Sequence, residues 1–166
     1  ISTYSINLNK GVNIVGFDFS PSLNISPLYA SSLLEQYPDI VLVGNYQGYG
    51  WKDLVKQSSV LPYVGQDFYF EQNKGYLIYT SKDLTLTLDG WQNMDAKYQQ
   101  LEDGWNLVGG SIYSKSSSTS ALISNLKENE IDIQRVGIWA NDLGSFIFNT
   151  QGDVQGIDIK IGENQG

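Results

Sequence analysis

Cysteine and histidine are both absent from this 166-residue chain. Without cysteine there is no disulfide framework and no thiolate nucleophile, and without histidine there is no imidazole for a Ser-His-Asp or Cys-His arrangement. Zinc sites of the Cys/His kind and imidazole-ligated metals are excluded with them. Positive charge is scarce as well: 10 Lys and Arg stand against 18 Asp and Glu, a net charge of −8, and no stretch gathers the basic residues on one face. Phosphate backbones and anionic membrane surfaces repel such a chain, so neither nucleic acid nor membrane is expected among its partners. Long apolar runs are also missing, none approaching the roughly eighteen residues of a spanning helix. What is present is 41% hydrophobic residues, ample for a core. The opening Ile1-Ser2-Thr3 lacks an initiator Met, as expected of a processed product or an excised fragment.

The informative pattern is an internal duplication. Residues Leu8 to Gly16 read LNKGVNIVG and residues Leu101 to Gly109 read LEDGWNLVG. Leu8, Gly11, Asn13, Val15 and Gly16 recur at one offset as Leu101, Gly104, Asn106, Val108 and Gly109, with Ile14 answered by Leu107. Identity at roughly one position in fifteen would yield about one such match by accident in a scan of this length. The order of the later segments decides the matter. After the first motif come a polar loop, a helix-like stretch from Tyr29 to Tyr37, the apolar run Ile40 to Gly44, an aromatic segment around Tyr49 and Trp51, and Asn73-Lys74-Gly75. After the second come a Ser-rich loop, the helix-like Ser120 to Lys127, the run Arg135 to Ala140, the aromatic Ser145 to Asn149, and Asn164-Gln165-Gly166. So long a period means two tandem units rather than a solenoid.

Alternation after a glycine predicts a strand over Val12 to Phe19, with a counterpart over Trp105 to Ile112. Ser26 before Pro27 predicts a capped helix start, with Ala30, Leu33, Leu34 and Tyr37 on one face and an end at Pro38-Asp39. In the second unit a helix follows Ser118-Thr119-Ser120, carries Leu122, Ile123 and Leu126 on one face, and stops at Asn129. The continuous apolar runs Ile40 to Val43 and Val136 to Trp139 read as central strands, each covered by the preceding helix. Phe68 to Phe70, Tyr76 to Thr80 and Leu84 to Asp89 read as strands, the last two as a hairpin turning at Ser81-Lys82-Asp83. Phe146 to Phe148 and Ile157 to Ile161 are their partners in the second unit. The predicted class is α+β, dominated by antiparallel sheet, in two strand-helix-strand-strand-strand units. The first unit, with an N-terminal strand, spans 1–95, and the second, without a closing strand, spans 96–166. The polar join from Gly90 to Leu101 carries Trp91 and Tyr98, so it is expected to pack.

The motif Gly104-Trp105-Asn106-Leu107-Val108-Gly109, with the later Asn73-Lys74-Gly75-Tyr76-Leu77-Ile78, resembles the GWN-type β-rich repeats of exported bacterial surface proteins. Absence of cysteine with a surface rich in Ser, Thr, Asn, Gln, Gly and Tyr suits the same setting. The first unit departs from that pattern with Val12 where the aromatic would stand. The resemblance implies an extracellular or cell-surface accessory module, usually non-catalytic, and transfers no functional residues. Physically, Gly11 and Gly104 suit a turn that a Cβ disfavours, Asn13 and Asn106 suit bonding to backbone at a strand entry, and Gly16 and Gly109 suit a bulge or a close backbone approach. Trp105 is expected in the core.

Aromatic residues offer the best candidate site. Tyr46, Tyr49 and Trp51, among glycines, present flat apolar faces while Asn45, Gln47 and Asp53 supply groups for hydroxyls, a combination suited to a glycan. The competing expectation is that Tyr49 and Trp51 open a strand and are buried between the units. The carboxylates fall at turns and alternate strand positions, so no paired acids for glycoside hydrolysis are expected. Asp39, Asp142, Asp153 and Asp158 are candidate calcium ligands by residue type, but no EF-hand-like loop is present, and no metal or cofactor is expected. Asn24-Ile25-Ser26 fits a glycosylation sequon. The alternating start, through Ile1, Thr3, Tyr4, Ile6 and Leu8, is expected to act as an assembly strand. It would fill the gap left by the second unit's missing strand, within one molecule or between molecules. Two functions are compatible with these features: a non-catalytic surface module that adheres or self-assembles through sheet edges with copies or other domains of the same protein, or a carbohydrate-binding module.

Overall fold

Glycine and asparagine at matched positions set both units' geometry. In the computed structural model, which describes residues 1–47, 50–57, 63–92, 101–109, 118–140 and 143–150, Gly11 and Gly104 both hold positive φ, 104° and 97°. That left-handed turn brings the next asparagine back onto the loop. Asn13 Oδ1 accepts from the Asn9 amide at 2.9 Å, and its Nδ2 donates to the carbonyls of Asn9 and Gly11 at 2.8 and 3.2 Å. Asn106 repeats this with the Glu102 amide at 3.0 Å and the carbonyls of Glu102 and Gly104 at 2.8 and 3.3 Å.

The architecture is α+β, dominated by antiparallel sheet. Strands β1 (Ser2–Leu8), β2 (Gly11–Gly16), β3 (Ser20–Leu23) and β4 (Ser26–Pro27) precede helix α1 (Ala30–Gln36). Then come β5 (Ile40–Gln47), β6 (Gly50–Lys56), β7 (Tyr63–Gly65), β8 (Gly75–Thr80) and β9 (Leu84–Trp91). The second unit contributes α2 (Thr119–Glu128), β10 (Arg135–Ala140) and β11 (Ser145–Thr150). One sheet runs β1-β9-β3-β4, a second runs β2-β8-β5-β6-β7, and β10 pairs with β11. Between the first two sheets and α1 lies a core of Leu8, Val15, Phe17, Phe19, Leu33, Leu34, Val43, Tyr76, Ile78 and Leu86. As the apolar run foretold, β5 is central and α1 packs on it. Helix α2 starts from Ser118, whose hydroxyl accepts from the Ala121 amide, and ends at Asn129.

Several expectations are corrected. Ser26 and Pro27 cap no helix; they pair with Leu23 and Ser22 across a turn. Helix α1 begins at Ala30, and the distant Asp67 carboxylate accepts from the Ser31 amide and hydroxyl at 3.0 and 2.6 Å. Ser81-Lys82-Asp83 is no hairpin turn: β8 lies between β2 and β5 while β9 lies between β1 and β3, so this segment crosses from sheet to sheet. Phe68 to Phe70 forms only a single bridge, Tyr29 to Tyr69. The stretch 101–109 forms no strand, and Val108 alone bridges to Lys74. Among the described residues the run Val136 to Trp139, in β10, pairs with β11 alone. Residues 110–112, Ile157 to Ile161 and the join at 93–100 lie outside the described residues.

The N-terminal strand is also relocated. β1 does not fill the second unit; it pairs with β9 of the first, from Ser2 opposite Gly90 to Leu8 opposite Leu84. Its inward residues explain this choice: Leu8 is buried, Ile6 packs on the core and Tyr4 stacks on Phe19 at 3.7 Å with planes 6° apart. Thr3 donates to Asp89 at 2.8 Å, and Ile1 is exposed.

Candidate functional site

Strand alternation divides the proposed aromatic site between two faces of the β2-to-β7 sheet. Asn45 is 2% exposed, turned with Val43 to the helix-covered side, so it is removed from any surface that Trp51 offers. Tyr46 faces outward, half-buried, and meets Trp51 of β6 edge to face at 5.4 Å. Trp51 is 49% exposed. A Cβ on Gly44 would sit 3.1 Å from Trp51 Cε3, so the glycine gives the indole its bed. Asp53 is exposed and lies opposite Gly44. Tyr49 and the side chain of Gln47 lie outside the described residues.

The outer face extends well beyond the predicted residues. Val12, Leu42, Trp51, Val55, Leu77 and Tyr79 line a shallow apolar groove of about 520 Å³, with Asp53 its charged member. Val12, Trp51 and Tyr79 are among the exposed large apolar residues of the chain. Sequence reasoning missed Val12, Leu77 and Tyr79, although the outward phase of β2 and β8 was implicit in their alternation.

The second unit builds a corresponding face. Gly137 lies beneath Phe148, where a Cβ would stand 2.6 Å from Phe148 Cε1. Trp139 and Phe146 form a cross-strand pair at 5.2 Å and 73°, as Tyr46 and Trp51 do at 5.4 Å and 74°. Trp105 meets Phe148 at 5.6 Å and is 52% exposed. It is therefore an outer-face residue rather than a core one, standing where Val12 stands in the first unit. A signal for this was available: Val43-Gly44-x-Tyr46 and Val136-Gly137-x-Trp139 share the offset of the two Gly-x-Asn motifs.

The units touch at matched glycines. A Cβ on Gly109 would lie 2.1 Å from the Cα of Gly16, its counterpart. The Gly75 amide donates to the Leu107 carbonyl at 3.1 Å and the Gly109 amide to the Asn73 carbonyl at 3.0 Å, so the second motif seats on the first unit's Asn-Lys-Gly turn. Asn73 holds that turn at φ 66°.

Asp39 pairs with Lys82 at 3.0 Å, and Glu71 pairs with Lys74. No cluster of three potential metal ligands occurs among the described residues; Asp142, Asp153 and Asp158 lie outside them. Burial raises the Tyr76 phenol above its ordinary value, opposed by a hydrogen bond from the Glu71 amide at 2.7 Å. Asn24, the sequon residue, is exposed at the β3–β4 turn. No protein-family model, curated protein or solved structure matches the chain.

Proposed function

We propose that the chain is a non-catalytic structural or adhesive module of an exported surface protein, or a self-assembling subunit, and that it joins its partners through sheet edges. The observation that carries this reading is the unequal use of a duplicated motif. The first copy is a strand paired along its length with β8, whereas the second reproduces the same turn and asparagine bonds but, among the described residues, pairs with the first unit through a single β-bridge. β1 and β7 add edges without a further partner among the described residues, and Val64 on β7 is apolar and exposed. Such edges invite pairing, and charged side chains suppress it. Light scattering over a concentration series of the chain and of the double variant Ser5→Lys with Val64→Lys tests the reading. Concentration-dependent assembly that the variant abolishes, with unchanged circular dichroism, is expected. A monomer at every concentration, or assembly indifferent to both lysines, counts against it.

The exposed Trp51 over Gly44, beside the Asp53 carboxylate, favours a second reading in which the outer groove holds a glycan. A glycan array followed by Trp51→Ala tests it: a retained hit that the substitution weakens supports it, and silence across the array rejects it.

A further inference from the structure

Strand β8 is held on both sides, by β2 and by β5. The second unit contains the counterparts of both holders, residues 104–109 and β10, and among the described residues neither carries a strand on the corresponding edge. The direction of the remaining peptide groups follows from hydrogen bonds already present. The Ser81 amide donates to the Asp39 carbonyl, so in the regular β8 ladder the amides of Tyr76, Ile78 and Thr80 point the other way, to β2, opposite Val15, Asn13 and Gly11. In the second motif the engaged groups are the Leu107 carbonyl and the Gly109 amide. At the Lys74–Val108 bridge these flanking bonds turn the Val108 peptide group away from that contact, in the direction by which its counterpart Val15 meets β8.

We propose that this edge is a preformed receptor for an added β-strand, and that its ligand is an extended segment of β8 chemistry from a partner polypeptide: glycine, then alternating aromatic and aliphatic residues, as in Gly-Tyr-Leu-Ile-Tyr-Thr. It rests on the sheet-edge reading of the proposed function and names the edge and the partner. The first unit shows what the motif binds, since the same asparagine geometry there is paired with such a strand. Main-chain bonds supply affinity in strand addition, and side chains alternating to either face supply selectivity. The outward residues of the donor would extend the exposed Trp105 and Phe148 face, as Leu77 and Tyr79 extend that of Val12. Lysines flanking the donor, as Lys74 and Lys82 flank β8, are attracted by a chain of net charge −8.

The test titrates a synthetic peptide with the sequence of residues 73–82 into the full chain, with hydrogen exchange followed across 101–109 and 135–140. Saturable slowing of about tenfold or more in both segments is expected, with none from a scrambled peptide. Asn106→Ala should weaken binding about tenfold, and Val108→Pro, which deletes one donor of the edge, should do likewise if the first variant loses its fold. No slowing overturns the proposal, as does equal slowing by the scrambled peptide, slowing confined to β1 or β7, or protection of 105–108 in the chain alone. If assembly responds to the β1 and β7 lysines while the peptide stays unbound, this proposal falls and the sheet-edge reading stands; if neither responds, both fall.

Discussion

Asn13 shows how one side chain specifies a strand entry. It is buried and binds the backbone at both its oxygen and its nitrogen, including a longer contact of 3.4 Å to the Ile78 carbonyl across the ladder. Replacing it by Ala leaves buried backbone groups unpaired, so Asn13→Ala should cost about 1–3 kcal/mol in urea denaturation, with Asn106→Ala costing less because its site is more exposed. Tyr76 gives a pH-dependent counterpart. Its folded-state pKa is raised above the unfolded value of about 10, so its contribution is fully present below that pH and is lost as the unfolded chain ionises above it. Tyr76→Phe should therefore lower stability by about 1 kcal/mol near neutrality, through the Glu71 amide it orphans, and should flatten the decline above about pH 10. Denaturation midpoints of both proteins on either side of that pH check the sign.

At the level of elements, local sequence and long-range contact compete, and α1 shows the second winning. Ser26-Pro27 has the chemistry of a helix start, yet the helix begins beyond it because Asp67, brought in by the loop after β7, caps Ser31. Asp67→Ala should cost about 1 kcal/mol, and Asp67→Asn less, in the same denaturation assay. Helix α2 was readable because its cap is local: Ser118 lies three residues before the amide it accepts from. The β8–β9 segment was misread for the reason that misled at α1. Two alternating runs joined by a short polar stretch resemble a hairpin, but each run buries its apolar face on a different sheet of one core.

For the whole molecule, the contact between Gly16 and Gly109 fixes how the second motif meets the first unit. A methyl group at Gly109 collides with backbone rather than with a flexible side chain, so the seat must open. Gly109→Ala is expected to cost about 1–3 kcal/mol and to speed hydrogen exchange at 107–109 while leaving β5 unchanged. Equal protection in both proteins would show that the contact does not hold the motif in place. The net charge of −8 belongs to the same scale: at low ionic strength it repels polyanions.

The amino-acid sequence by itself determined the α+β class, the central position of β5, the span of α2 and the matched Gly-x-Asn turns. Each of these depends on local periodicity or on a residue bonding within a few positions of itself. It also carried the tandem aromatic pattern Val-Gly-x-Tyr and Val-Gly-x-Trp. Only the tertiary structure decided that β1 joins β9, that Asn45 turns inward while Trp51 lies exposed on Gly44, and that Trp105 belongs to an outer face. Those choices are made between segments far apart in the chain, where the buried faces of two sheets and a helix must close on one core. No local pattern records which distant surface an amphipathic strand will meet.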